Sequence, residues 1–273
     1  MSAPKESPDR SRRLFLFGAA AATVGLSACG ADVTRDPATS AGSSGSSVIP
    51  LDAGPARSGV APTSALTGPT TARFVSHGPS DTASIALTFH TNGDLGLVQQ
   101  LFDAITARKA HATSFIVGNW LEQHPDWAKR LVDGGIELAN HTYAHLGFEK
   151  LSPARMLEEV SMCRDVLVRL NGKPGAFFRP SGTKNGIDSP SPAAMAAAGN
   201  AGYATVLGYD LDPFDYRDPG SSAVVSRTIA ALHPGAIVSL HFGHPGTITA
   251  LPLILDAIEQ QGLTTVTASE LLA

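Results

Sequence analysis

The sequence predicts an α/β fold in which a parallel sheet is covered by helices. Three observations carry this. Short apolar runs alternate with helix-period segments about seven times along the chain. The apolar runs are continuous rather than alternating, the pattern of strands buried on both faces. Polar residues gather at or just past the C-terminal ends of those runs, where α/β sheets build their sites. A barrel and an open doubly wound sheet both satisfy the pattern. No glycine-rich phosphate fingerprint follows the first strand, which weakens the dinucleotide-binding form.

In chain order, residues 1–29 read as an address. Ser11-Arg12-Arg13-Leu14-Phe15-Leu16 has a twin-arginine pattern ahead of an apolar stretch, Phe17 to Leu26, too short to span a bilayer. It ends Leu26-Ser27-Ala28-Cys29-Gly30, which resembles a bacterial lipoprotein cleavage box with Cys29 as the lipidated residue. The chain is therefore expected to be exported and anchored to the outer face of the cell membrane. Residues 30–72, rich in Ala, Ser, Gly, Thr and Pro, are expected to be a flexible tether, because they bury too little apolar surface to offset ordering entropy. The folded domain is placed at 73–273.

Ala72 to Val75 reads as its opening strand. Ala83 to Phe89 follows as a buried strand, and Leu95 to Lys109 as a helix with apolar positions at Leu97, Val98, Leu101, Phe102 and Ile105. Thr113 to Val117 is the next strand, then a helix through Ala128 to Val132 stopping at Gly134-Gly135. Ile136 to Ala139 leads into His141. Ser152-Pro153 opens a long helix that ends at Asn171-Gly172, with Ser as N-cap and Pro at the first helical position. Ala176 to Arg179 reads as a strand, Pro192 to Ala201 as a helix, Ala204 to Gly208 as a strand and Ser222 to Leu232 as a helix. The strand Ala236 to His241, a helix from Leu251 to Gln260 and the strand Thr264 to Thr267 complete the domain.

Composition narrows the function. The 273-residue chain carries a net charge of −4, without the clustered Lys and Arg of a nucleic-acid surface. Aromatic residues are 6%, too few for broad stacking platforms. With Cys29 in the export signal, Cys163 stands alone on a helix and is expected to be a buried small hydrophobe, so no intramolecular disulfide is expected.

The centre of the domain is His141-Thr142-Tyr143-Ala144-His145, two imidazoles four residues apart just past a strand end. Neutral imidazole is the commonest metal ligand, and a metal held with one open position activates water. His90, Arg179, Asp210 and His241 sit at or just beyond other strand ends. Such one-sided placement suits a site and is not supplied by packing.

In order, Thr88-Phe89-His90-Thr91-Asn92-Gly93-Asp94, His141 to His145, Phe178-Arg179-Pro180-Ser181-Gly182, Asp212-Pro213-Phe214-Asp215-Tyr216 and Val238-Ser239-Leu240-His241 resemble the five motifs of polysaccharide deacetylases. These are the NodB-homology enzymes of carbohydrate esterase family 4. The likeness covers Ala83 to the C-terminus. It implies a distorted (β/α)7–8 barrel, a divalent metal, zinc first, and hydrolysis of N-acetyl groups on cell-envelope glycans such as peptidoglycan or chitin-like polymers. Three motifs depart from the family. The usual Thr-Phe-Asp-Asp-Gly supplies a general base and a metal ligand; here those positions are His90 and Thr91. Gly182 replaces the usual aromatic residue whose backbone N–H faces the oxyanion, and Tyr216 stands where Trp is usual.

The resemblance makes His141 and His145 metal ligands. Asp94 is the candidate third ligand because a carboxylate offsets the metal's charge, although it also stands where a helix N-cap would; His90 is its rival, in a three-histidine site. His90 occupies the base position, and His241 that of the acid which protonates the leaving amine. Asp212 and Asp215 are placed to orient His241 or to pair with Arg179, for which a carboxylate partner is expected because an unpaired buried charge is costly. Gly182, Asp212, Tyr216 and His244 are placed at the substrate. His77, His111, His124 and His233 are expected at the surface or as caps. Two other readings stay open: a glycan-binding homologue without catalysis, and an O-acetyl esterase or amidase with another substrate.

Overall fold

The structure, a computed structural model, describes residues 71–273. The twin-arginine segment, Cys29 and nearly all of the tether lie outside the described residues. No helix among the described residues is long and apolar enough to cross a membrane.

Among the described residues, eight strands form one sheet: β1 (Arg73–Val75), β2 (Ser84–Thr91), β3 (Ala112–Ile116), β4 (Ile136–Asn140), β5 (Phe177–Phe178), β6 (Thr205–Leu207), β7 (Ile237–His241) and β8 (Thr264–Val266). All pairings are parallel, in the order β1-β6-β5-β4-β3-β2-β7, with β8 also on β2. Beyond β6 the chain bridges back to β7 at Leu211–Val238, and Ser239 N donates to Leu211 O over 2.8 Å. That short contact links the extension of β6 to β7 and closes the strand row from β6 to β7 into a distorted barrel.

Among the described residues, seven α-helices lie in the connections, α1 (Leu95–Ala107), α2 (Gly118–Gln123), α3 (Asp126–Asp133), α4 (Pro153–Asn171), α5 (Pro192–Asn200), α6 (Ser221–Ala231) and α7 (Pro245–Gln260), and the short α8 (Ala268–Leu271) follows β8. Helix α4 begins as its sequence dictates, with Ser152 accepting from Arg155 N, and ends at Gly172 in the left-handed region (φ 72°). Helix α7 starts six residues before the expected Leu251. Pro245 fits its first turn, and Pro252 is carried inside the helix, whose buried stripe Ala250, Leu251, Ile254, Leu255 and Ile258 holds it to the sheet.

Strand alternation sorts the core. On β2, Ile85, Leu87 and Phe89 pack outward under the helices, while Ala86, Thr88 and His90 face the barrel interior. On β7, Val238 and Leu240 point outward, and Ile237, Ser239 and His241 inward. The register pairs Ala86 with Ile237, Thr88 with Ser239 and His90 with His241. The interior is therefore layered: apolar at the floor, hydroxyl in the middle, imidazole at the C-terminal rim. Fully burying each large apolar side chain of the outer layer contributes about 1.5–3 kcal/mol.

Candidate active site

Two-residue steps along neighbouring strands deliver the rest of the rim. From inward-facing Ala139 the step reaches His141, from Phe177 it reaches Arg179, and from Leu207 it reaches Tyr209. His90, His141 and Arg179 are buried, His241 is half-buried, and His145 is exposed at the edge.

The donors and acceptors of this cluster form one directed chain. Asp215 Oδ1 lies 2.7 Å from His241 Nδ1, and Oδ2 accepts from His241 N (2.8 Å) and from Thr247 Oγ1 (2.7 Å). His241 Nε2 lies 2.8 Å from His90 Nδ1. His90 Nε2 lies 3.1 Å from Arg179 Nη1. Arginine has only donors, so His90 Nε2 accepts, and neutral His90 then carries its hydrogen on Nδ1. That hydrogen is donated to His241 Nε2, and His241 Nδ1–H is donated to Asp215. Burial, reinforced by the neighbouring imidazoles and the guanidinium, holds His90 well below the usual histidine range, which keeps it neutral.

Arg179 has no carboxylate partner here, contrary to expectation. Its guanidinium donates to Leu207 O (2.8 Å), Gly208 O (2.8 Å) and Thr88 Oγ1 (2.9 Å), and it stacks 3.9 Å from the Phe115 ring. Burial lowers it to about 9, still protonated at neutral pH. Carbonyl dipoles and an aromatic face satisfy this cation in place of an ion pair. Asp212 instead accepts from Phe214 N (2.7 Å), and burial raises its pKa.

The loop carrying the histidine pair is over-determined. Thr142 (φ 69°) and His145 (φ 54°) both occupy the left-handed region, which costs non-glycine residues about 1–3 kcal/mol each. Asn140 Oδ1 accepts from Thr142 N (2.9 Å), and its amide nitrogen donates to Val160 O and Tyr203 Oη. Glu159, fully buried on α4, accepts from Tyr143 N (3.0 Å) and Ala144 N (2.7 Å), with Arg155 on its other oxygen (2.7 Å). Glu159 was missed in the sequence. Its signal is an acid lying between Met156, Val160 and Cys163 on the helix's apolar face.

A divalent ion can be tested against these donors. His141 Nδ1 is 2.8 Å from Arg179 O, and its Nε2 is buried without a hydrogen-bond partner. A ring fixed through one nitrogen, with the other lone pair free, is oriented as a metal ligand. The His145 ring lies 5.0 Å away. Two imidazoles therefore fit. Asp94 does not join them: it is exposed and caps α1, its Oδ1 accepting from Gly96 N (2.9 Å) and Leu97 N (3.1 Å). Gly93 turns the chain sharply at φ 105°, and the turn serves the cap. His90 is not a third ligand either. Its ring stacks on His141 at 4.2 Å and 27°, so their in-plane lone pairs do not converge, and both its nitrogens are engaged. This arrangement also leaves His90 no free lone pair for the expected base role. Thr91, in the family's carboxylate-ligand position, is buried and bonded to Ser114 Oγ. No group of three His, Cys, Asp or Glu among the described residues is set to hold a metal.

The remaining candidates line the rim. Tyr216 is exposed, its ring 5.2 Å from His241 and 6.3 Å from Phe214. His244 Nδ1 lies 3.0 Å from Asp218, its ring 5.9 Å from that of His241. Gly182 takes φ 66°, beside Ser181, whose hydroxyl bonds Leu146 O. His111 pairs with Glu270, His233 with Asp210, and His124 caps α2, all apart from the cluster. Cys163 is buried and free, and burial pushes its thiol up to about 12.

A sequence model of the polysaccharide deacetylase family matches residues 77–206. The chain is 31% identical over 198 residues to a peptidoglycan-N-acetylglucosamine deacetylase from Bacillus cereus, covering 71% of this chain and 90% of that protein. It is 30% identical over 197 residues to a chitooligosaccharide deacetylase from Bradyrhizobium sp., covering 67% and 88%. Its fold matches a family 4 pseudoenzyme from Bacillus anthracis with a TM-score of 0.67 at 22% identity, over 74% of this chain and 69% of that one.

Proposed function

The chain belongs to the polysaccharide deacetylase family, and on that premise we propose that it removes N-acetyl groups from amino-sugar polymers of the cell envelope. Family members are hydrolases of the carbon–nitrogen bonds of acetylated sugars. The observation that carries the reading is the directed chain Arg179–His90–His241–Asp215 at the rim, beside a buried imidazole with one lone pair free.

His141 and His145 would hold a divalent cation, zinc being the ion proposed. When bound, such an ion supplies Lewis acidity toward water and the acyl carbonyl. The rest is done by side chains of this protein. Asp215 fixes the His241 ring through Nδ1 and its backbone N–H, so Nε2 is the atom that handles protons. His241 Nε2 takes the proton of the attacking water and delivers it to the leaving nitrogen. A proton there displaces the hydrogen donated by His90, so the His90–His241 bond opens during turnover. His90 is thus a positioning residue. The backbone at Ser181–Gly182 lies where the family resemblance puts the N–H that faces the oxyanion, and exposed Tyr216 offers a sugar a stacking face. A lipid on Cys29, following twin-arginine export, would hold the enzyme at the outer face of the membrane.

A second reading, glycan binding without turnover, is favoured by one observation: Thr91 supplies a paired hydroxyl where a carboxylate ligand is usual. Acetate release from N-acetylglucosamine oligomers, with and without chelator, decides between them. Chelator-sensitive release supports the hydrolase. Oligomer binding without acetate release supports the binding protein.

A further inference from the structure

Two carboxylate–imidazole pairs stand side by side at the rim. Asp215 Oδ1 lies 2.7 Å from His241, and Asp218 Oδ1 lies 3.0 Å from His244, each contact being made by the ring's Nδ1. Both pairs join the same two segments, the turn at 215–218 and the stretch at 241–247 that leads from β7 into α7, and the second pair sits three residues further along each. The segments are tied together. Thr247 Oγ1 donates to Asp215 Oδ2 (2.7 Å), Thr247 N donates to His244 O (3.1 Å), and Asp218 N donates to Asp215 O (2.9 Å). Asp218 takes φ 50°, a left-handed conformation that a non-glycine residue keeps only where its surroundings impose it. Its carboxylate is left to His244, because the neighbouring Arg217 guanidinium lies over the rings of Phe214 (4.9 Å) and Tyr216 (5.4 Å) instead.

The two imidazoles differ at Nε2. That of His241 receives the His90 hydrogen over 2.8 Å. On His244, Nδ1 is the ring atom that is hydrogen-bonded among the described residues. Asp218 draws the ring hydrogen to Nδ1, so neutral His244 presents a lone pair at Nε2. Its ring lies 5.9 Å from that of His241, and its side chain is 24% exposed, so a proton collected there can pass to solvent.

Hydrolysis of an acetamide to amine and acetate breaks both O–H bonds of the attacking water. The water oxygen forms the new C–O bond, the C–N electron pair leaves with nitrogen, and one water proton reaches that nitrogen through His241. The other proton must leave the new carboxyl group. His241 is a poor acceptor for it, because once its first proton is delivered the His90 hydrogen closes on Nε2 again. We propose that His244, oriented by Asp218, takes this second proton at Nε2 and passes it to solvent. His244 is then a catalytic residue and Asp218 a positioning residue, and the assignment rests on the deacetylase reading.

Steady-state acetate release by the full chain from N-acetylglucosamine oligomers tests this. His244→Ala and His244→Gln are both expected to lower kcat about tenfold or more with KM little changed, since neither side chain carries a proton. Dissolved imidazole is expected to restore the kcat of His244→Ala in proportion to its concentration and to leave the unmodified chain unaffected. Asp218→Asn keeps the imidazole and is expected to lose less than His244→Ala. An unchanged kcat in His244→Ala, full activity in His244→Gln, or a loss that imidazole does not restore overturns the proposal, and with acetate still released by the unmodified chain it leaves the deacetylase reading standing. No acetate from the unmodified chain overturns that reading and this proposal together.

Discussion

His90 donates its Nδ1 hydrogen to His241 Nε2 over 2.8 Å, with donor-only Arg179 behind it and the Asp215 carboxylate ahead. The family's base and acid positions are thereby joined into one ordered, directed string. The parallel register of β2 and β7, which pairs these two residues, makes the join.

Removing His90 therefore acts through its partners. His90→Ala takes away one acceptor of the buried Arg179 guanidinium and the donor that orients His241. A stability loss of about 1–3 kcal/mol is expected, measured by urea unfolding. His90→Asp gives Arg179 the carboxylate it lacks and is expected to be more stable than His90→Ala.

Asp215→Asn leaves a side chain of the same shape that no longer fixes the His241 tautomer. A fall in kcat of about 10²-fold or more is expected, with KM little changed. Steady-state kinetics on an N-acetylated oligomer checks it; an unchanged kcat would remove His241 from the proton path.

Metal affinity follows the donor set. His141→Ala is expected to abolish stoichiometric binding, and Thr91→Asp to tighten it by about tenfold or more, because a carboxylate then joins two imidazoles. Thr91→Val provides no ligand and is expected to show no tightening. Competition titration with a chromophoric chelator reads all three.

Glu159 tests whether the loop is held from behind. Glu159→Ala frees the Tyr143 and Ala144 N–H groups and is expected to weaken metal binding about tenfold or more, the usual scale for supporting residues. Glu159→Gln keeps acceptor oxygen and is expected to fall between Ala and the unmodified chain.

Alkaline pH gives a cleaner electrostatic test. Buried Tyr203 donates to Pro174 O and accepts from Asn140, and burial raises its pKa above the ordinary tyrosine value. The unfolded phenol ionises near pH 10 while the native one keeps its proton. Stability is then undiminished below about pH 10 and lost as pH rises further, by up to about 1.4 kcal/mol per unit. Tyr203→Phe is expected to flatten that slope in unfolding titrations.

The strand ends carrying His90, His141, Arg179 and His241 were legible because apolar runs stop abruptly before polar residues. Two partnerships were not. The His90–His241 bond depends on register between strands far apart in sequence. The neutral satisfaction of Arg179 depends on where the backbone of β6 ends, and single-residue reasoning about a buried charge asks for a carboxylate instead. Asp94 was ambiguous for a physical reason: a carboxylate after a glycine turn suits a metal and a helix start equally, and only the chain's direction after Gly93 separates them. Glu159 lay in view, an acid on an apolar face, but its partners are backbone groups that no side-chain motif records.

The most direct test incubates the chain with an N-acetylated amino-sugar oligomer and follows both products, free acetate and the de-acetylated sugar, by mass spectrometry, alongside His241→Ala. Acetate and free amine in equal amounts are expected from the unmodified chain, and a loss of both in the variant. Equal turnover by His241→Ala, or bound oligomer with no acetate from the unmodified chain, would contradict it.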